Sequence, residues 1–203
     1  CSVLRRNQHE ITRRAGRGIE IAAVAVRDAA KARAFLGGEL PISTQPLDVV
    51  RHPDIDIVVE LIGGYEPARS LVLEAIGLGK HVITANKALL ARHGNEIFEA
   101  ARARGVMVAF EAAVGGGIPI IKALREGLTA NRIEWLAGII NGTSNFILSE
   151  MRSRGESFGA VLAEAQRLGY AEADPTFDIE GVDAAHKLTL LAAIAFGVPI
   201  NFD

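Results

Sequence analysis

The fold that this sequence predicts is α/β, a doubly wound parallel sheet followed by a smaller α+β unit, and three observations carry that prediction. Four apolar runs of five to eight residues, at 19–26, 55–62, 81–85 and 106–110, alternate with helical segments. The runs are close to continuous in Val, Ile and Ala rather than alternating, as in parallel strands covered on both faces. Beyond Gly115-Gly116-Gly117 the alternation gives way to helices around one longer apolar run.

Along the chain the elements follow in order. Cys1-Ser2-Val3-Leu4 opens without an initiator Met and reads as the inside of a helix, with Val3, Leu4, Ile11 and Ala15 on one face and Gly16 and Gly18 closing it, so a piece of a longer protein is expected. The first strand is 19–26, and a helix follows over Asp28 to Leu36. A turn-rich stretch holds Pro41 and Pro46, and a second strand, 55–62, stops at Gly63-Gly64. Pro67 can start the next helix and Gly79 can end it. A strand at 81–85 leads to Asn86, which can cap a long helix over Lys87 to Arg104, and 106–110 is a further strand. A boundary near 112–117 divides the chain into 1–112 and 113–203. The second part holds a helix at 119–128, a strand at 133–141, and helices near 144–153, 157–168 and 181–196.

Composition narrows the function. The 203 residues are 49% hydrophobic and 23% charged, with a net charge of -2, which excludes a disordered chain and leaves no polybasic surface for nucleic acid or anionic membrane. The longest apolar run, Leu188 to Ile200, is too short to span a bilayer. One cysteine, Cys1, excludes an internal disulfide, and a reducing cytoplasm is the expected location.

A doubly wound sheet binds its ligand beyond the carboxyl ends of its strands. The Gly-x-Gly-x-x-Gly loop that would cradle a pyrophosphate there is absent. Gly16/Gly18, Gly77/Gly79 and Gly115/Gly117 have Ile21, Val82 and Ile120 where the third glycine is needed. Arg27, at the end of the first strand and beside Asp28, stands where a 2′-phosphate would be selected, so NADP is slightly favoured over NAD; a solvated strand-end Arg accounts for it equally. Thr84-Ala85-Asn86-Lys87 puts an amide and an ammonium at a strand-to-helix junction, where a Lys opposes the helix dipole and so contributes nothing to the helix. The glycine-rich turn from Glu111 to Pro119 could face carbonyls toward a hard monovalent cation, although spacing alone favours a plain hinge.

The densest constellation is Gly169 to Lys187, with five carboxylates in twelve residues from Glu172 to Asp183. Asp183 and Lys187 lie at i and i+4 on one helical face. On a surface such a pair is worth only about 0.3 to 0.5 kcal/mol. Here the helix continues into Leu188, Leu190, Leu191 and Ile194, so the pair sits at the mouth of an apolar segment, where a Lys can exchange a proton with a hydroxyl. His186 is assigned a packing or surface role.

At these residues the chain resembles the homoserine dehydrogenase family. The segment from Ala165 and Gly169 through Asp174-Pro175, Asp178, Gly181 and Asp183 to Lys187 is similar to that family's signature throughout. Glu60 to Gly64, Thr84 to Lys87, Glu111 to Pro119 and Asn141-Gly142-Thr143-Ser144-Asn145 match in order. The resemblance implies a Rossmann-type sheet followed by a substrate and dimerisation domain, and reversible NAD(P)-dependent interconversion of L-homoserine and L-aspartate 4-semialdehyde on the route to threonine, isoleucine and methionine. It implies Lys187 as general acid/base, Asp183 as its positioning partner, and Glu172, Asp178, Asp183 and the backbone at Gly169 as substrate contacts. On the cofactor side it implies Lys87, Asn86, Thr84 and Gly63, with Arg27 beside them. Glu111, Val114, Gly116 and Ile118 correspond to a sodium site, which displaces the hinge reading, and a homodimer through the second domain is expected.

The family's first strand with its glycine loop, and its C-terminal return to the cofactor domain, are missing from 1–203. A second reading is therefore a catalytically inactive fragment that only binds substrate or dimerises. A third, an oxidoreductase acting on a sugar or another semialdehyde, gives no reason for the joint Glu172, Asp178, Asp183 and Lys187 pattern.

Overall fold

The computed structural model describes residues 1–36 and 40–202. Two short helices, α1 (Ser2–Arg6) and α2 (Gln8–Ala15), open the chain and bury none of their residues. The strand β1 is only Val24–Ala25, shorter than the predicted 19–26. A strand extends only as far as a neighbour shares its ladder, and here the shared bonds run from Val24 N to the Pro41 carbonyl and from Val26 N to the Ser43 carbonyl. After α3 (Ala29–Leu36), whose third amide is capped by Asp28, the partner strand β2 (Ile42–Ser43) pairs in parallel with β1. Residues 37–39 of the predicted turn region lie outside the described residues. The stretch after them holds β2 and the short helix α4 (Pro46–Val50), where only turns were expected. Pro46 occupies the first helical turn, and Ser43 Oγ accepts from Gln45 N and donates to Asp48.

The larger ladder is parallel in the order β3 (Ile57–Glu60), β4 (His81–Thr84) and β5 (Val108–Ala109), with Ile57 opposite His81 and Val82 opposite Val108. The crossovers are α5 (Ala68–Gly77) and α6 (Lys87–Arg104). Leu71, Val72 and Ile76 of α5 and Leu89, Leu90 and Ile97 of α6 share one core with Val58 and Val82. The other face of these strands is open, with Val59 54% exposed and Ile83 40%. The expected burial on both faces is thus corrected to burial on one. No other ladder joins β3 to β1–β2 among the described residues, so the parallel sheet stands in two pieces.

Helix α6 forms over the predicted residues because both ends are encoded locally. Asn86 Oδ1 accepts from Leu89 N at 3.1 Å, and Gly105, at φ +66°, closes the other end. Asn86 Nδ2 also donates to the Gly64 carbonyl at 2.7 Å, tying the turn after β3 to the helix start. Asn86→Ala removes both, and a loss of about 1 to 2 kcal/mol is expected in urea unfolding. An unchanged midpoint would show that neither bond holds the junction.

Past β5, α7 (Glu111–Val114) and the single turn α8 (Ile120–Lys122) lead into a widened π-helical turn over Ala123–Gly127, in place of one continuous helix at 119–128. The widening is the bond from Leu128 N to the Ala123 carbonyl, five residues apart. The predicted strand at 133–141 does not form: no ladder partner accepts it among the described residues, and Trp135 and Ile139 are 77% and 79% exposed. Helices α9 (Gly142–Arg154) and α10 (Phe158–Arg167) bury Ile147, Val161 and Ala165 against each other in a second, smaller core. The short α11 (Thr176–Ile179) precedes α12 (Val182–Phe196), which packs along α6 and sends Leu190 and Leu191 into the first core. Asn95 of α6 exchanges two hydrogen bonds with the backbone of Ile200. No described helix is long and apolar enough to cross a membrane.

Candidate active site

Three segments distant in sequence meet where α12 starts. Gly181, at φ +75°, lets the chain turn from α11 into α12, so Asp183 falls in the first turn, where the helix dipole favours an anion. Lys187, one turn on, lays Nζ 2.7 Å from Asp183 Oδ2 and donates to the Ile140 carbonyl at 2.8 Å. The start of α6 delivers Lys87, with Nζ 3.0 Å from Asp183 Oδ1. The residue that opposes its own helix dipole is therefore held by a carboxylate from the other half of the chain. Asn141, before α9, donates Nδ2 to Asp178 Oδ1 at 2.7 Å and to Asp183 Oδ2 at 3.1 Å.

Burial pushes the Asp183 carboxyl up, but the hydrogen bonds from Lys187, Lys87 and Asn141 outweigh it and hold the group down at about 2. Asp178, Asp183 and Lys187 stand at a cleft of about 540 Å³ that Asn141, Gly142, Thr143, Phe146, Gly169 and Tyr170 also line, and Lys87 reaches Asp183 from outside that lining. That volume suits a small polar metabolite. An ammonium fixed by a carboxylate and a carbonyl at the wall of such a cleft can pass a proton to or from an oxygen bound beside it.

The other residues singled out in the sequence fall in separate places. Glu172 is exposed, and its backbone carbonyl, not its side chain, is engaged, by Gln166 Nε2 at 3.1 Å. Thr84 is fully buried, its hydroxyl donating to Glu60 Oε2 at 2.5 Å and accepting from Asn86 N at 3.0 Å. Glu60 Oε1 in turn accepts from Ile62 N and Gly63 N, so Glu60, Gly63, Thr84 and Asn86 form one bonded unit at the carboxyl ends of β3 and β4. Arg27 is exposed just past β1. Glu111 spends both carboxylate oxygens on amides, Ile121 N at 2.7 Å and Lys122 N at 3.0 Å. Val114 is buried, and Gly116 and Ile118 are on the surface. His186 is buried rather than superficial, its ring 4.2 Å from that of Phe202, and burial holds its pKa below the ordinary value. Asn141 and the Ile140 carbonyl were not among the predicted site residues. The sequence shows Asn141 only as the end of a predicted strand and the start of the Asn141-Gly142-Thr143-Ser144-Asn145 match, and it gives no sign of the Ile140 carbonyl.

The comparisons with known proteins agree with this geometry. The family model described as the homoserine dehydrogenase NAD binding domain matches residues 1–111, and the homoserine dehydrogenase model matches residues 119–203. The homoserine dehydrogenase of Pseudomonas aeruginosa is 67% identical over 202 residues, covering 100% of this chain and 46% of the relative, and that of Neisseria gonorrhoeae is 60% identical with the same coverage. The crystal structure of a Thiobacillus denitrificans homoserine dehydrogenase superposes with a TM-score of 0.94 at 74% identity, over 99% of this chain and 46% of that one. A hyperthermophilic archaeal homoserine dehydrogenase in complex with NADPH gives a TM-score of 0.80 at 27% identity, over 96% of this chain and 67% of that one. The chain spans about half the length of the curated relatives it matches. With a parallel α/β half matched by the NAD binding domain model and a Lys–Asp–Lys cluster whose Asp183 and Lys187 line a polar cleft, this chain belongs to the homoserine dehydrogenase family.

Proposed function

We propose that this chain carries the site of a homoserine dehydrogenase, the reversible oxidation of L-homoserine to L-aspartate 4-semialdehyde. The observation that carries the reading is the meeting of Lys87 and Lys187 on Asp183, which with Lys187 lines the cleft. When bound, a nicotinamide supplies or accepts the hydride. The chain's own residues do the rest. Lys187, held by Asp183 and the Ile140 carbonyl, gives its proton to the aldehyde oxygen during reduction and takes it from the hydroxyl during oxidation. Lys87 adds a second positive charge on the cofactor side of Asp183. Asp183 is already matched by two ammonium groups, whereas the Asp178 side chain has the Asn141 amide, so Asp178 is the carboxylate suited to the substrate ammonium. Gly169, on the cleft wall, offers its backbone to the amino acid.

For the cofactor, Gly63 and Gly64 have positive φ with nothing within 4 Å of where a Cβ would stand, leaving open space at the ligand side of the sheet beside Asn86 and Lys87. Arg27 supports NADP over NAD through its fixed charge. For sodium, the Glu111 oxygens each keep a lone pair beyond their amide bonds, and the Val114 and Gly116 carbonyls accept from no backbone amide among the described residues. Such hard oxygens suit a monovalent cation, although the Ile118 carbonyl is engaged by Ile120 N at 2.8 Å. The exposed apolar side chains of Trp135 and Ile139 support a homodimer through the second domain.

The test is the absorbance of NADPH and of NADH in the presence of aspartate 4-semialdehyde, in a full-length homoserine dehydrogenase carrying this sequence. Semialdehyde-dependent consumption, faster with NADPH at low cofactor concentration, is expected. No turnover with either cofactor would sink the reading, and equal use of both would remove Arg27 from cofactor selection.

A further inference from the structure

We infer that Asn141 is a positioning residue that separates the duties of the two cleft carboxylates, holding Asp183 on the lysines and Asp178 free for the substrate's ammonium. The inference rests on the reading of the site as a homoserine dehydrogenase site. The orientation of the Asn141 amide is settled by its surroundings. Oδ1 accepts from Ser144 N at 2.7 Å as the cap of α9, so Nδ2 is the atom that faces the cleft. Both partners of Nδ2 are carboxylate oxygens, which accept only from a donor, so the flipped amide would set oxygen against oxygen.

The two hydrogens of Nδ2 are thereby divided between two aspartates that arrive on different elements, Asp178 from α11 and Asp183 from α12. Two carboxylates facing one cleft repel each other, and a donor shared between them offsets that repulsion while fixing where each one stands. The preceding residue completes the arrangement, since the Ile140 carbonyl accepts from Lys187 Nζ at 2.8 Å. One dipeptide therefore grips the acid/base lysine by its backbone and both carboxylates by a side chain. Ser144 Oγ also donates to the Asp178 carbonyl at 3.1 Å, so the first turn of α9 locks α11 from a second point.

A capping role alone and a bridging role predict different orders of damage. Asn, Asp and Ser cap helices almost equally well, so replacements among them leave a mere cap intact. A bridge responds otherwise. Asn141→Ser keeps the cap and loses the amide donors, and Asn141→Asp keeps the cap and adds a third carboxylate facing the other two. In a full-length homoserine dehydrogenase carrying this sequence, the homoserine KM is expected to rise about tenfold or more for Asn141→Ser and further for Asn141→Asp, with the cofactor KM unchanged. Unfolding midpoints close to the parent's would accompany that order. Homoserine KM values equal to the parent's in both variants would reduce Asn141 to a helix cap and overturn the inference. A cofactor KM that rises in step with the homoserine KM would also overturn it, as general damage. A parent protein that turns over no homoserine overturns the functional reading and this inference with it, and that failure shows before any substitution is made.

Discussion

Lys187→Ala is expected to lower kcat by about 10²-fold or more in the complete enzyme, while leaving it folded. The side chain is 18% exposed and makes two bonds, to Asp183 and to the Ile140 carbonyl, neither of which closes a core. Ala is the strongest helix former, and Asp183 keeps Lys87 and Asn141 as partners in the variant, so α12 retains its first turn. The loss therefore reports on the proton rather than on the fold. Lys187→Arg sharpens the test. A guanidinium restores the charge and the pairing with Asp183 but does not release its proton in a protein, so a positioning role would be rescued by Arg and an acid/base role would not. Near-normal turnover in Lys187→Ala, or recovery in Lys187→Arg, would remove Lys187 from proton transfer.

What the sequence disclosed and what it hid divide along the range of the interactions involved. Helix α6 was readable from its cap at Asn86 to its end near Gly105, because a cap and a left-handed glycine act within four residues. Strand β4 was readable because its apolar run is bounded closely on both sides. The runs at 19–26 and 133–141 are also apolar but become strand over only two residues in the first case and none in the second. A strand is completed by a neighbour's backbone, which composition does not encode. The helix α4 is a different kind of miss. Pro46 at its first turn and Asp48 behind Ser43 are local signals, but a Pro in a turn-rich stretch fits a plain turn as well as a helix start. In the site, the Asp183–Lys187 pair followed from i,i+4 spacing. The partnership of Asp183 with Lys87 did not, because it depends on α6 and α12 packing side by side, and from the residues alone Lys87 was only an ammonium in an unusual place. Asn141 stood at the end of an expected strand, and its bridge between Asp178 and Asp183 was hidden for the same reason.

Asp183→Asn should cost both activity and stability, and pH separates the two contributions to stability. The carboxyl stands at about 2 in the folded chain, against an ordinary 3.8. A depressed carboxyl stabilises the fold wherever the pH exceeds the unfolded value, and that stabilisation fades as pH falls through the folded one. The shift corresponds to a stabilisation on the order of 2 kcal/mol, complete at neutral pH, down to about half near pH 3 and gone below pH 2. Asn in this position also leaves the Lys87 and Lys187 ammonium groups facing each other with no carboxylate between them. Urea unfolding of parent and variant should therefore differ by the same amount from pH 7 down to about pH 5, with the gap narrowing between there and pH 3. A gap of the same size at pH 7 and pH 3 would mean that shape and neutral hydrogen bonds hold Asp183 in place and that its ion pairs contribute nothing. The activity of the variant has a separate cause. Without the carboxylate Lys187 loses the anion that fixes its Nζ at the cleft wall, and a charge-assisted bond of this kind is worth roughly 1.5 to 3 kcal/mol, so kcat/KM should fall by about 10- to 100-fold even at a pH where the variant is fully folded. Full activity in a stably folded Asp183→Asn protein would show that Lys187 keeps its position through the Ile140 carbonyl alone.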